Sequence, residues 1–142
     1  MKKIKIGIAR SLLYHRYGVM WKTFFTNLDC KVILSPETNK EILNIGSNNS
    51  NSTSCLPYKI NIGHLYYLKD ICDYILIANI CNYGKDNMVC PILISTYNNI
   101  ISKDKLLTYT IEYTKFKFEF FEFLKLGLKI NKNIFKVIQA YF

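Results

Sequence analysis

The sequence lacks any apolar run long enough to span a membrane. A transmembrane helix needs roughly 18 or more consecutive apolar residues, whereas the longest apolar segments here, such as residues 74–78, have the length of a β-strand. Residues 1–6 are basic, but they lack the apolar core and the small-residue cleavage site of a secretory signal. We therefore interpret them as the first strand of a cytoplasmic protein that has no membrane partner.

A paired-cysteine motif is also missing. The five cysteines are Cys30, Cys55, Cys72, Cys81 and Cys90. No two of them form a C-x-x-C pair, which argues against a zinc ribbon or a thioredoxin-type site. An odd number of cysteines without a signal peptide argues against a disulfide scaffold. In a reducing cytosol the remaining roles are core thiol, metal ligand and redox group.

Acidic residues and arginines are scarce. The 142 residues include 19 basic and 10 acidic side chains, which give a net charge of +9. Only Arg10 and Arg16 are arginines, and the lysines are spread along the chain. A positive charge of this size is compatible with an anionic ligand or with nucleic acid. Because no basic block or RNA-binding signature occurs, a nucleic-acid-binding module ranks last among the functions considered.

Short apolar strands alternate with amphipathic segments, which predicts an α/β fold with a parallel sheet. Apolar periodicity and turn residues place the strands and helices. The predicted strands cover residues 3–8, 30–34, 73–80 and 92–95, with the third at the centre, and the predicted helices cover residues 10–28, 38–46, 55–69, 116–127 and 131–142.

The chain is predicted to form one domain with an extension. Residues 1–105 form the α/β part, which contains the candidate ligand cysteines, and residues 106–142 form a helical C-terminal extension. Thr38 and Glu41 have the spacing of a capping box, and Gly46 is expected to end the helix that they begin.

Two cysteines stand close to prolines. Cys55 lies two residues before Pro57, and Cys90 directly precedes proline. Ser54 is a natural N-cap and Pro57 suits a first helical turn, so we place Cys55 at the amino end of a helix. The partial positive charge there favours a thiolate, the form that binds iron or zinc. The sequence alone leaves open whether these two cysteines are metal ligands or inert thiols.

The remaining cysteines and the histidines differ in context. Cys81 follows the central strand, and the carboxyl end of a parallel sheet gathers functional groups, so Cys81 is a candidate third metal ligand. We expect Cys30 and Cys72 to lie at the edge of the core. His64 is predicted to be a packed residue of its helix. His15 lies with Arg10 near the start of the first helix, where an anion could bind, although no glycine-rich phosphate loop occurs.

Several segments resemble one known family. Residues 5–43 (KIGIARSLLYHRYGVMWKTFFTNLDCKVILSPETNKEIL), residues 54–68 (SCLPYKINIGHLYYL), residues 89–94 (VCPILI) and residues 121–142 (FEFLKLGLKINKNIFKVIQAYF) occur in the family's order. They resemble proteins of the acyl-CoA dehydratase activase-related family, which are relatives of the 2-hydroxyacyl-CoA dehydratase subunits. The resemblance covers nearly the whole chain.

The resemblance implies a Rossmann-like α/β domain that holds a 4Fe-4S type cluster. Cys55 and Cys90 match the cysteines of the family motifs, and Lys59, Gly63 and His64 match the rest of the first motif. In the related dehydratases, an ATP-dependent activase supplies an electron that the cluster passes to a CoA thioester. Such an activase is therefore an expected partner.

The chain also departs from this family. Its members are longer and have a second lobe, so we expect this chain to be truncated relative to them. Two cysteines cannot complete a four-thiolate shell; Cys81, a homodimer or a partner chain would supply the rest. The first alternative is a metal-free structural or interaction domain that has lost the cluster, and the second is the basic nucleic-acid-binding module.

Overall fold

The computed structural model describes residues 2–82, 90, 97–112 and 118–142. The strands are β1 (Lys5–Ile8), β2 (Lys31–Leu34), β3 (Tyr74–Asn82) and β4 (Leu106–Glu112). The helices are α1 (Tyr14–Asn27), α2 (Lys40–Asn48), α3 (Leu56–Leu68), α4 (Phe118–Ile130) and α5 (Ile134–Tyr141), and Tyr97–Asn99 form a short 3₁₀ turn. None of the helices in these described ranges is long and apolar enough to cross a membrane.

The four strands form one parallel sheet in the order β2-β1-β3-β4. Ile6 of β1 is in register with Val32 on one side and with Tyr74 on the other. The predicted four-stranded parallel sheet with flanking helices, a Rossmann-like α/β fold, is thus confirmed. Since the chain moves from β1 first to one side and then to the other, the strand order reverses beside β1. Such a switch point is where sheets of this kind bind ligands.

The fourth strand of the described sheet lies in a segment where no strand is predicted. The segment 92–95 lies outside the described residues, and the strand that pairs with β3 is β4, in the segment predicted as a helical extension. Leu107 and Tyr109 of β4 are buried in the core, and each is followed by a threonine, a residue that favours extended backbone. Residues 106–142 therefore supply a strand as well as the two helices. The division of the chain at residue 105 remains a prediction.

Helices cover both faces of the sheet. On one face, α1, α4 and α5 contribute to a core that contains Trp21, Phe25, Phe123 and Val137. On the other face, α3 packs against the sheet through Ile62 and Leu65, among other residues, and α2 packs on the outside of α3. Alternate residues of β1 and β3 point to the two cores, as expected of strands that are buried on both sides.

Helices α2 and α3 touch through their backbones. A Cβ atom added to Gly46 would collide with the carbonyl oxygen of Lys59, and one added to Gly63 would collide with that of Ile42. The prediction that Gly46 ends α2 is therefore wrong, because α2 continues to Asn48 and the glycine serves the close crossing. The predicted capping box is wrong too, since the N-cap is Asn39, whose Oδ1 accepts a hydrogen bond from the Ile42 N–H (3.0 Å).

Side chains of α4 cover the outer edge of β4. Glu122 Oε2 accepts a hydrogen bond from the Thr110 N–H (2.7 Å), and Lys129 Nζ donates to the Leu106 carbonyl oxygen (2.6 Å). Unpaired N–H and C=O groups on an edge strand invite pairing with other chains. The extension therefore protects this edge of the sheet.

The helix crossing predicts the effect of Gly46→Ala. The new methyl group would meet a backbone carbonyl that cannot rotate away, so the helices must separate. We expect a loss of about 2 kcal/mol or more in the free energy of unfolding, measured by urea denaturation. The control is Gly18→Ala in α1, where the Cβ would meet only the movable ring of Tyr14. An equal loss in both variants would contradict the proposed role of the crossing.

Candidate functional site

Buried polar side chains gather where β1 and β2 end. The buried polar residues in the described part of the chain are Ser11, Ser35, Asn61, His64 and Glu122. Ser11 follows β1 and Ser35 follows β2. Asn61 and His64 belong to α3, and their side chains contact residues that follow these two strands. Burying a polar group is costly unless it is hydrogen-bonded. This concentration at one edge therefore marks the candidate site.

A chain of hydrogen bonds joins β1, α3 and the 3₁₀ turn. The Ser11 hydroxyl donates to Asn61 Oδ1 (2.7 Å), and Asn61 Nδ2 donates to the Tyr97 hydroxyl oxygen (3.3 Å). All three side chains line a cavity of about 30 Å³. Burial raises the pKa of Tyr97 to about 12, so its hydroxyl keeps its proton at neutral pH.

His64 is fully buried beside the loop after β2. Its Nε2 lies 3.1 Å from the Thr38 hydroxyl, and its Nδ1 has no hydrogen-bond partner among the described residues. Burial first, then the positive charges of Arg10 and His15, lower the pKa of His64 from 6.5 to about 4. The ring is therefore neutral at pH 7. The predicted role of a packed helical residue fits this burial.

The loop after β1 carries basic and strained residues. The Arg10 N–H donates to Ser35 Oγ (2.8 Å), and its Nη1 lies 3.7 Å from the exposed carboxylate of Glu37. Arg10 Nε is buried without a hydrogen-bond partner in the described part of the chain. Leu12 adopts a φ of 51°, in the left-handed region that costs a leucine energy. Strain of this kind is common in ligand-binding loops.

Cys55 is itself the N-cap of α3. Its backbone is extended, its side chain is exposed, and Pro57 stands in the first turn as predicted. Ser54 was the predicted N-cap, so the helix begins one residue later than expected. Lys59, one turn further on, donates from Nζ to the Ser52 carbonyl oxygen (3.0 Å). This bond ties the polar loop before Cys55 to α3.

The other two candidate ligands lie on β3 and in its connection to β4. Cys90 is exposed. Cys81 belongs to β3 at an irregularity, because Ile80 pairs with Ile111 whereas Asn82 already pairs with Glu112. Bulges of this kind occur often beside active sites. The side chain of Cys81 lies outside the described part of the chain. Within the described ranges, no three His, Cys, Asp or Glu side chains are grouped so that they could hold a metal ion.

Cys30 and Cys72 are buried thiols, as predicted. Burial raises the pKa of the Cys30 thiol, and it raises that of Cys72 to about 11. Cys72 packs against Gly7, where an added Cβ would lie 2.9 Å from its sulfur. Both residues precede strands, so they lie at the amino edge of the sheet, opposite the candidate site.

The sequence interpretation missed the polar chain through Asn61 and Tyr97. One signal was present, because Asn61 interrupts an otherwise apolar helix that is buried on nearly every side. A polar residue in such a place needs a partner. The identity of that partner could not be read from the sequence, since Ser11 is 50 residues away.

Fold and site together define a Rossmann-like α/β domain with a polar site at the carboxyl edge of its parallel sheet. The family model described as "CoA enzyme activase uncharacterised domain" matches residues 5–142. The chain belongs to this family, which confirms the resemblance to an activase-related family. No curated protein and no solved structure matches the chain.

Thiol burial predicts the order of alkylation. With a pKa of about 11, roughly one Cys72 thiol in a thousand is ionised at pH 8, and burial blocks access to it. We expect iodoacetamide to label Cys55 and Cys90 in the folded protein and to label Cys30 and Cys72 only after denaturation. Peptide mass spectrometry measures each site. Fast labelling of Cys72 in the folded state would contradict the described burial.

Burial of neutral His64 predicts a loss of stability in acid. The pKa of His64 is lower in the folded state than in the unfolded chain. Its contribution to the free energy of unfolding is therefore fully present above pH 6.5 and is lost as the pH drops towards 4. The loss between about pH 7.5 and about pH 5 should be on the order of 2 kcal/mol. Urea denaturation measures the free energy of unfolding at each pH, and in His64→Gln most of this loss should disappear. The control is His15→Gln, which changes an exposed histidine and should keep the loss. If the free energy of unfolding fell with pH as steeply in His64→Gln as in the wild type, His64 would not be the group responsible.

Proposed function

We propose that this chain is an iron–sulfur-binding, activase-related module of the 2-hydroxyacyl-CoA dehydratase superfamily. The observation that supports the proposal is the separation of the cysteines by sheet edge. Cys30 and Cys72 are buried at the amino edge, whereas Cys55 is exposed at the start of α3 and Cys90 is exposed in the connection that follows β3. Only exposed thiols are open to a cluster.

The position of Cys55 suits a cluster ligand. Its sulfur is at the amino end of a helix of 13 residues, where the helix dipole stabilises negative charge. The bond from Lys59 to the Ser52 carbonyl holds the preceding loop in place without using the cysteine. A ligand whose backbone is fixed before the metal arrives loses less entropy on binding.

The shell needs more thiolates than these two residues supply. A 4Fe-4S cluster takes four cysteine ligands, so Cys81, a second copy of the chain or a partner chain would complete it. A bound cluster would carry one electron at a time, received from an ATP-dependent activase and delivered to a CoA thioester. In this scheme the chain itself binds the cluster and positions two of its ligands.

A metal-free interaction domain is the second candidate function. It is favoured by one observation, namely that no three potential ligands come together within the described ranges. In that case Cys55 and Cys90 would be surface thiols, and the family relationship would reflect the shared fold and its contacts with an enzyme system.

Iron and acid-labile sulfide content after anaerobic reconstitution tests the proposal. We expect roughly equal amounts of iron and sulfide and a visible absorption band in the wild type. Both Cys55→Ser and Cys90→Ser should lose most of the iron, because each removes one sulfur ligand. Circular dichroism shows whether the variants remain folded.

The matched control is Cys30→Ala, which removes a buried thiol at the opposite edge and should keep the iron. Iron at background in a folded wild type, whether reconstituted alone or with an activase, would reject the cluster and favour the interaction domain. Equal iron in all four proteins would show that Cys55 and Cys90 are not its ligands.

A further inference from the structure

A cavity of about 440 Å³ lies among α1, α4 and α5 and shares no lining residue with the polar site at the edge of the sheet. Its volume is typical of small-molecule binding sites. Phe24, Phe123 and Ala140 line it and are buried, and the ring centroids of the two phenylalanines lie 4.6 Å apart. The half-buried ring of Tyr141 continues this wall, with its centroid 5.3 Å from that of Phe123. The cavity therefore offers an aromatic inner wall to the body of a ligand.

The open side of this cavity is rich in hydrogen-bond acceptors. Apart from one tyrosine, its polar lining residues are Thr23, Asn27 and Glu119, and all three are exposed. The Thr23 hydroxyl donates its proton to the Val19 carbonyl oxygen (2.9 Å), and Asn27 Nδ2 donates to the Ala140 carbonyl oxygen (3.3 Å). Each of the three lining side chains therefore keeps an oxygen that can still accept a hydrogen bond. A ligand group with several N–H donors suits this arrangement.

Glu119 gives the open side a negative charge. Its Oε1 accepts a hydrogen bond from the Tyr109 hydroxyl (3.3 Å), and no lysine or arginine among the described residues forms an ion pair with it. In the described part of the chain, no basic residue lines the cavity. Burial, and after it the negative charge of Glu119, raises the pKa of Tyr141, so the carboxylate acts on this side of the wall. Carboxylates and aromatic rings both attract cations.

We propose that this cavity binds a small primary amine with an aromatic body. The ammonium group donates to the Glu119 carboxylate and shares its remaining protons with the oxygens of the exposed rim, while the aromatic body contacts Phe24 and Phe123. An ammonium group has three N–H donors and no acceptor, as a rim of acceptors requires. The unbranched side chain of a protein lysine would fill less of the 440 Å³ than an aromatic body does. The site does not depend on the proposed cluster.

Titration with phenethylamine hydrochloride tests this site directly. Isothermal titration calorimetry of the purified chain should show saturable binding, and the ligand should raise Tm. Glu119→Gln removes the charge but keeps an oxygen that can accept the Tyr109 proton. Binding to this variant should be about fivefold weaker or more, because an exposed carboxylate loses its ion pair with the ligand. Circular dichroism shows whether the variant remains folded.

One control variant and three comparison ligands isolate the carboxylate and the ammonium group. Glu41→Gln removes an exposed carboxylate from the first turn of α2, as Glu119→Gln does in α4, and should bind phenethylamine like the wild type. Phenethyl alcohol has nearly the same shape but no charge, and phenylacetate has the opposite charge. Nα-acetyl-lysinamide carries the ammonium group of a protein lysine without the ring. All three should bind the wild-type protein at least about fivefold more weakly than phenethylamine.

Each outcome decides the proposal. Saturable phenethylamine binding that is weakened in Glu119→Gln but not in Glu41→Gln, with weaker binding of the three comparison ligands, supports it. No binding of phenethylamine to the wild type would overturn it. So would equal binding by Glu119→Gln, or binding of the alcohol or of phenylacetate as tight as that of the amine. Equally tight binding of Nα-acetyl-lysinamide would replace the small amine by a lysine of a partner protein. The comparison of ligands on the wild type stands even where the variant fails to fold, and iron content plays no part in it.

Discussion

The direct contact between the backbones of α2 and α3 is the constraint on which the rest of the site depends. Gly46 and Gly63 leave no side chain between the helices, so α2 lies tightly on α3 and presses it against the sheet. Helix α3 is then buried on nearly every side. Its two polar core residues, Asn61 and His64, cannot reach water and must find partners within the protein.

Those partners come from the ends of the strands. Ser11, after β1, bonds to Asn61, and Thr38, after β2, lies beside His64. An unsatisfied buried polar group costs about 1–3 kcal/mol, so these contacts also fix where the two loops run. Beside these contacts, His64 Nδ1 and Arg10 Nε stay without a hydrogen-bond partner among the described residues. Unused groups in an otherwise satisfied network are the places where a ligand gains most from binding.

Apolar periodicity was enough to predict β1, β2, β3 and the helices, because each buries a continuous apolar stripe. It failed where one residue type serves two purposes. Gly46 looks like a helix end, but it stands at a crossing whose other half, Gly63, lies on a different helix. The strand β4 was missed because its threonines resemble a linker until Leu107 and Tyr109 are known to be buried. The Ser11–Asn61–Tyr97 chain joins segments far apart in sequence, and no local pattern encodes it.

The motif residues that first suggested the family have four separate physical roles on one helix. Cys55 caps α3 and exposes its sulfur at the edge of the sheet, and Lys59 ties the preceding loop to the helix. Gly63 permits the crossing with α2, and His64 is buried beside the Thr38 hydroxyl. The three later residues hold α3 and its first loop in one position. Because these contacts lie within the protein, the position of Cys55 is set by the fold, and its exposed side chain is accessible to a partner.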